Sequence, residues 1–194
     1  LVASSDWPYE AICAQWKGRP FALTLSTDKS YNWWENASGT LSVKANLANT
    51  SQEKKNCTLK YWIRDYAGNY VVNESRSLTI EAGQLQVYPI EFTPESEREI
   101  YFVEASIEDE TGKEQVFHRT NLGLLPPHEF TSTPDENIMG LSAYWASPDS
   151  TELKRLLNRM GVRWVRNGIN SSFKNIEAMY HNNIDWTKKW TDTE

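Results

Sequence analysis

Two cysteines, three methionines and three histidines are all that the 194 residues contain of those types. Two cysteines cannot define a disulfide framework. Cys13 and Cys57 either form one bridge, tying the N-terminal segment to a strand, or stay as separate buried thiols. His118, His128 and His181 lie far apart, with no cysteine or carboxylate at ligand spacing, so the sequence offers no metal site and implies no cofactor. Long hydrophobic runs are missing too: none approaches the ~18 residues of a membrane helix. No basic-then-apolar leader opens the chain, although such leaders are removed on export. Positive charge is the minority sign. Twenty Lys and Arg against 26 Asp and Glu leave a net charge of -6 without a basic stripe, which argues against a nucleic-acid surface. Neither a phosphate loop nor a G-x-S-x-G nucleophile elbow occurs.

What is present is aromatic and polar. Hydrophobic residues make up 39% and aromatic residues 12%, with nine tryptophans, which is ample for a buried core. An acidic, aromatic-rich chain suits neutral ligands such as sugars. Asn36, Asn49, Asn56, Asn73 and Asn170 each begin an N-x-S/T tripeptide, the glycan acceptor pattern that bacterial hosts do not generally use.

Residues 1–20 read as irregular, anchored or broken by Trp7, Pro8, Trp16 and Pro20. From there to Leu125 the pattern is all-β. Ala22 to Thr27 is a short strand, and Leu41, Val43, Ala45 and Leu47 alternate with polar residues at period two. Asn49 to Asn56 reads as a turn-forming connection, then Cys57 to Asp65 as a strand. Tyr70 to Val72, Ser77 to Ile80, Leu85 to Phe92, Ile100 to Glu108 and Gln115 to Leu122 follow, the last two around a turn at Asp109–Gly112. Seven or eight short strands without helices describe a mainly β protein, a β-sandwich of immunoglobulin or fibronectin type. The Cys–Trp–Cys spacing of true immunoglobulin domains is absent, so the expectation is of architecture alone.

Asn137 to Gly168 changes the period. Ile138 to Trp145 is an apolar strand. Asp149 is placed to cap a helix, with Glu152 three residues on completing a capping box. Leu153, Leu156, Leu157 and Met160 form one stripe, Gly161 suits the left-handed exit, and Val162 to Arg166 returns extended. A strand, crossover helix and strand of this size predict parallel pairing in a βαβ unit. Such a unit needs neighbours, and a barrel of eight takes about 250 residues. The chain opens at Leu1 and ends soon after Asn167, so the expectation is a fragment: a sandwich over 1–125, a linker over 126–136, and over 137–194 a partial β/α unit of a truncated TIM barrel.

The run from Arg119 through Gly123-Leu124-Leu125-Pro126-Pro127 to Ile138-Met139-Gly140-Leu141 resembles secreted glycoside hydrolases in which a β-sandwich precedes a clan A (β/α)8 barrel. Glu152 to Leu157, then Met160-Gly161-Val162-Arg163-Trp164-Val165-Arg166, looks like the first helix and second strand of families 5 and 39. The tail from Phe173 to Trp186 is similar to the segment that follows. The resemblance implies a retaining glycosidase with two catalytic glutamates about 5 Å apart on later strands. No catalytic residue then lies within 1–194; Glu152 reads as a helix cap and Glu177 as part of a polar segment. It also implies that Arg166 approaches the nucleophile and holds it ionised, with Arg163 on the opposite strand face. Tyr144 and Trp145 would lie on the barrel's active face and stack on sugar, or pack internally.

Tyr31-Asn32-Trp33-Trp34 offers a second stacking surface. Trp33 and Trp34 cannot both be exposed in an extended stretch, so the alternative places one in the core and the other over an interdomain seam. The function expected is part of a glycoside hydrolase acting on a polysaccharide or oligosaccharide, inactive alone, the sandwich supporting the barrel. The alternatives are a carbohydrate-binding module and an Ig-like interaction module. The expected partners are carbohydrate and the remainder of the barrel, with no nucleic acid and no membrane. The expected location is secreted, periplasmic or cell-surface.

Overall fold

A computed structural model describes residues 9–36, 39–126, 140–143, 151–162 and 164–167; for Ser30, 140–143, 151–154 and 164–167 it describes the backbone only. The chain divides into two units, Leu1–Leu124 and Leu125–Glu194.

The first unit is mainly β. Its strands are β1 (Phe21–Ser26), β2 (Trp33–Trp34), β3 (Leu41–Asn49), β4 (Lys55–Arg64), β5 (Tyr70–Ile80), β6 (Leu85–Phe92), β7 (Glu99–Glu108) and β8 (Glu114–Leu124). They form a sandwich of two sheets, ordered β1-β3-β6 and β2-β8-β7-β4-β5. All pairs are antiparallel except β2 with β8. The period-two alternation decides which face goes inward: in β3, Leu41, Val43, Ala45 and Leu47 are buried while Ser42, Lys44 and Asn46 are half-buried. From the facing sheet Cys57, Leu59, Tyr61 and Ile63 of β4, Val103, Ala105 and Ile107 of β7, and Leu122 and Leu124 of β8 join the same core. His118 also faces inward, where its Nδ1 accepts the backbone N–H of Leu25 at 3.2 Å and ties β8 to the edge strand of the other sheet.

Residues 9–16 are not irregular: Tyr9–Trp16 is a helix, α1. Its contact face is Ala11 and Ala14, packed on Ala22 and Ala48, which are register partners in β1 and β3. Alanines give no hydrophobic periodicity to read, yet they let a helix sit close on a sheet. The helix ends on Gly18 at φ 66°, with the amides of Gly18 and Arg19 bonded back to the carbonyls of Gln15 and Ala14, a Schellman closure that needs the left-handed residue. The expected strands at 70–72 and 77–80 are one 11-residue strand, because β5 pairs with β4 throughout and its polar middle (Asn73 to Arg76) borders solvent at the sheet edge.

The connection after β3 is shorter than expected and is built on Asn49. Although fully buried, its amide Nδ2 donates to the carbonyls of Glu53 (2.7 Å) and Ile80 (2.9 Å), and its Oδ1 accepts from the amide and hydroxyl of Ser51. Next to it the Thr50 amide bonds the Pro20 carbonyl and the Asn49 amide bonds that of Gln84. Three separate connections are thereby drawn together at one end of the sandwich. As a glycan acceptor Asn49 is closed in the folded chain.

Both long hairpins turn on an aspartate. Asp65 accepts from the backbone and side chain of Asn69 at 2.8 Å, and Asp109 from the Thr111 and Lys113 amides and the Thr111 and Gln115 side chains. These bonds, led by the Asn69 and Thr111 side chains, hold both carboxyls below the ordinary value of 3.8. A carboxyl with a depressed folded pKa stabilises the fold above its unfolded pKa and loses that contribution as pH falls through the folded value. The melting temperature is therefore expected to drop as pH falls below about 4, and a D65N/D109N variant should show a flatter profile between pH 5 and 3.

The second unit contains β9 (Gly140–Ala143), α2 (Thr151–Arg159) and β10 (Trp164–Asn167). Strands β9 and β10 pair in parallel, Gly140 opposite Trp164 through Ala143 opposite Asn167. The helix closes as α1 does: Gly161 has φ 80°, and the amides of Gly161 and Val162 bond the carbonyls of Asn158 and Leu157. Leu157 is buried, but Met160 is exposed, because it lies past the last helical residue, where the chain is already turning away from the stripe. The proposed cap Asp149 and residues 127–136 of the expected linker lie outside the described residues.

Candidate functional site

Sequence reasoning placed its candidates in three positions. Arg166 is the third residue of β10, in register with Ser142 of β9. Tyr144 and Trp145, with Arg163, His128, Asn170, Glu177 and His181, lie outside the described residues. Trp33 and Trp34 form β2, and the stacking expectation for Trp33 is corrected: its ring is 4% exposed, in the body of the sandwich. Trp34 is half-buried against the main core, so neither ring stands free on a loop. The cause is backbone conformation. Tyr31 and Asn32 both have positive φ (58° and 53°), a costly region for a side chain as large as tyrosine. Asn32 is held there by Thr27 Oγ1 at 2.7 Å and Thr120 Oγ1 at 3.1 Å. That reversal lets the next two residues pair with Gly123 and Leu124 and leaves Tyr31, not a tryptophan, at the surface.

Side chains with chemistry gather elsewhere, on the outer face of the five-stranded sheet. The register aligns Trp62 of β4 with Glu104 of β7 and Glu104 with Arg119 of β8; the next row aligns Arg64, Phe102 and Asn121. Glu104 is 6% exposed although its strand face looks outward, because its neighbours cover it. Its Oε2 accepts the Trp62 indole N–H at 2.5 Å and the Arg64 Nη2 at 2.6 Å. A carboxylate so enclosed needs charge-assisted partners, since a buried unpaired charge costs several kcal/mol. Arg64 Nε is buried and has no hydrogen-bond acceptor among the described residues.

Aromatic rings flank this pair. Trp62 and Phe117 lie 6.2 Å apart between centroids, and Tyr66 stacks near Phe102 at 6.5 Å with planes 25° apart. The guanidinium of Arg119 sits 5.3 Å from the Phe102 ring centre, a cation–π distance. Tyr66 is 72% and Phe117 45% exposed, so apolar surface is presented to solvent.

At the other end of the same face is a polar hollow of about 230 Å³ lined by Asn56, Thr58, Ser77, Thr79 and Glu110. Thr79 Oγ1 donates to Asn56 Oδ1, and Asn56 Nδ2 to Glu110 Oε1, each at 2.8 Å. Cys57, which also borders the hollow, belongs to the core, where burial pushes its thiol up to about 11. Both cysteines are free thiols. Among the described residues no three His, Cys, Asp or Glu side chains gather to hold a metal ion, and no helix is long and apolar enough to cross a membrane.

No family model matches the sequence, and no curated protein matches it significantly. Similar solved structures exist. One is a Bacteroides uniformis β-glucuronidase, 17% identical with a TM-score of 0.43, over 75% of this chain and 20% of that one. A β-glucuronidase from glycoside hydrolase family 2 is 22% identical with a TM-score of 0.39, over 54% of this chain and 11% of that one. A family 2 member from Bacteroides cellulosilyticus DSM 14838 is 16% identical with a TM-score of 0.39, over 53% and 15%. The chain thus spans between 11% and 20% of the length of these three. Two of these three are named as members of glycoside hydrolase family 2.

Proposed function

We propose that the chain is part of a glycoside hydrolase, its sandwich an accessory domain and its β9–α2–β10 unit the opening of a (β/α)8 barrel. The observation that carries this reading is the in-register parallel pairing of β9 and β10 around a single crossover helix, directly after an antiparallel sandwich. A parallel pair exposes edges on both sides and is stable in sheets continued by further parallel strands. The sandwich order β1-β3-β6 and β8-β7-β4-β5 supports an immunoglobulin- or fibronectin-type domain. Sequence resemblance at Arg119–Trp145 and Glu152–Arg166 supports the rest. Which of families 2, 5 or 39 the barrel follows rests on its fourth and seventh strands. Export to the periplasm, the cell surface or the medium belongs to the same reading.

On this reading Arg166, at the end of the second barrel strand, orients the nucleophilic carboxylate, and Tyr144 and Trp145 face the sugar. The test is to express the whole coding region and assay it on chromogenic β-glycosides. Hydrolysis with retention is expected, with Arg166→Ala lowering kcat by about 100-fold or more at little change in KM, as loss of a positioned electrostatic group does. Residues 1–194 alone should be inactive. Hydrolysis by residues 1–194, or an unaltered kcat in the Arg166→Ala enzyme, would remove the assignment.

A further inference from the structure

We propose that the outer face of the five-stranded sheet binds an acidic oligosaccharide, one whose sugar rings carry carboxylate groups. The inference stands on this face alone and does not depend on the hydrolase reading. Three cations lie on it. Lys60 is 2.6 Å from Glu108 and Arg64 is 2.6 Å from Glu104, so both are matched by carboxylates of the protein. Arg119 is not: it stands opposite Glu104 in the ladder, but among the described residues no carboxylate lies within ion-pair distance of it, and its guanidinium lies over the Phe102 ring. A guanidinium that lies over a ring at 5.3 Å keeps its N–H groups available, in the planar fork that fits a carboxylate. The Arg119 side chain is exposed, so that edge is presented to solvent.

Around Arg119 the surface suits a sugar ring. Tyr66, Phe102, Trp62 and Phe117 supply flat apolar surface at partly exposed positions, and Asn121 stands in register with Phe102. Flat aromatic surface with a few fixed polar groups at its rim is what an amphipathic ring requires. The strip continues along β4 past Lys60 to the hollow at Asn56 and Thr58, lined by hydroxyls, the Asn56 amide and the Glu110 carboxylate to which that amide donates. Asn56 and Arg64 are eight residue steps apart, roughly 27 Å of strand, which favours an extended oligomer over a single sugar. The chain as a whole is acidic, at -6, so general attraction for polyanions does not account for binding here. The local geometry must supply it.

The experiment is calorimetric titration of residues 1–194 with tetragalacturonate, with cellotetraose as the neutral probe and heparin tetrasaccharide as the sulfated one. Tetragalacturonate is expected to bind at least tenfold more tightly than either. Arg119→Ala should weaken it at least tenfold, and Phe102→Ala and Tyr66→Ala several-fold each, with unchanged melting temperature for the Arg119 and Tyr66 variants. Arg119→Lys should restore only part of the affinity. Equal binding of cellotetraose would overturn the anion's role, and equal binding of the heparin fragment would overturn the carboxylate's. Absence of tetragalacturonate binding, or binding indifferent to Arg119→Ala, would end the proposal without touching the hydrolase reading.

Discussion

Asn49→Ala is expected to cost about 3 kcal/mol of unfolding free energy, although it removes no hydrocarbon from the main core. Asn49 is 0% exposed and its amide nitrogen serves two carbonyls, those of Glu53 and Ile80. The Glu53 carbonyl keeps a second partner in the Ser51 hydroxyl at 2.9 Å, and Ser51 has access to water. The Ile80 carbonyl belongs to a residue closed to water. Residue 80 is 1% exposed, and an unmade hydrogen bond there carries the desolvation penalty of the group, about 1–3 kcal/mol. Loss of the Ser51 contacts adds to it. Asn49→Asp separates the possibilities. It preserves shape but replaces the donating nitrogen with oxygen and buries a charge facing two carbonyls, so it should be at least as damaging as alanine. Urea unfolding of both variants gives the measurement. If Asn49→Asp proved nearly neutral, the donor bonds would not be what holds this end of the sandwich together.

The second large effect is expected at Leu59. It lies near the middle of β4, between β5 and β7, and is 0% exposed in the cluster contributed by both sheets. Truncation to alanine should cost about 3–5 kcal/mol, because transfer energy and a residual cavity add where strands on both sides prevent collapse. Leu85 supplies the contrast. It has the same side chain on β6 but is 42% exposed, and Leu85→Ala should cost well under 1 kcal/mol. Equal losses at the two positions would mean that burial in this sandwich does not govern its stability. Both variants should keep the native urea m-value, since neither alters how much surface unfolding exposes.

These residues differ in how far they could be read in advance. Leu59 belongs to a run, Cys57 to Ile63, whose alternation with polar residues names the inward face without any structure. The same holds for Leu41 to Leu47. For Leu85 to Phe92 the expected bounds coincide with β6, but its apolar residues do not share one face, since Leu85 and Val87 are exposed while Ile90 and Phe92 are buried. Asn49 was legible only as a member of a polar stretch and an acceptor tripeptide. Its burial follows from the meeting of the 17–20, 50–54 and 80–84 connections, which no local pattern describes. The helix at Tyr9–Trp16 was hidden for a related reason: its packing face is two alanines, and its large residues Tyr9 and Trp16 are exposed. Hydrophobic periodicity reports large side chains, so a contact made by small ones leaves no trace.

The outer-face cluster shows the same limit for the candidate site. Trp62, Tyr66, Phe102, Glu104, Phe117 and Arg119 come from three strands and one turn, and each has a plain sequence surrounding. The adjacent tryptophans at 33 and 34 were the conspicuous pair, yet the positive φ at Tyr31 and Asn32 turns Trp33 inward.

By itself the sequence determined the mainly β character of residues 21–124, the inward face of the 41–47 strand, the Gly161 helix exit, and the parallel pairing of the 140–143 and 164–167 strands. All of these depend on side-chain period, turn chemistry or connection length, which are local. The tertiary structure alone decided that α1 covers one sheet, that Asn49 is a buried bracket, and that an arginine, a carboxylate and four aromatic rings share one face. Those outcomes depend on strand register. A shift of one residue in β7 against β4 would exchange the faces of Phe102 and Glu104 with those of Val103 and Ala105, and only the packing of both sheets fixes that choice.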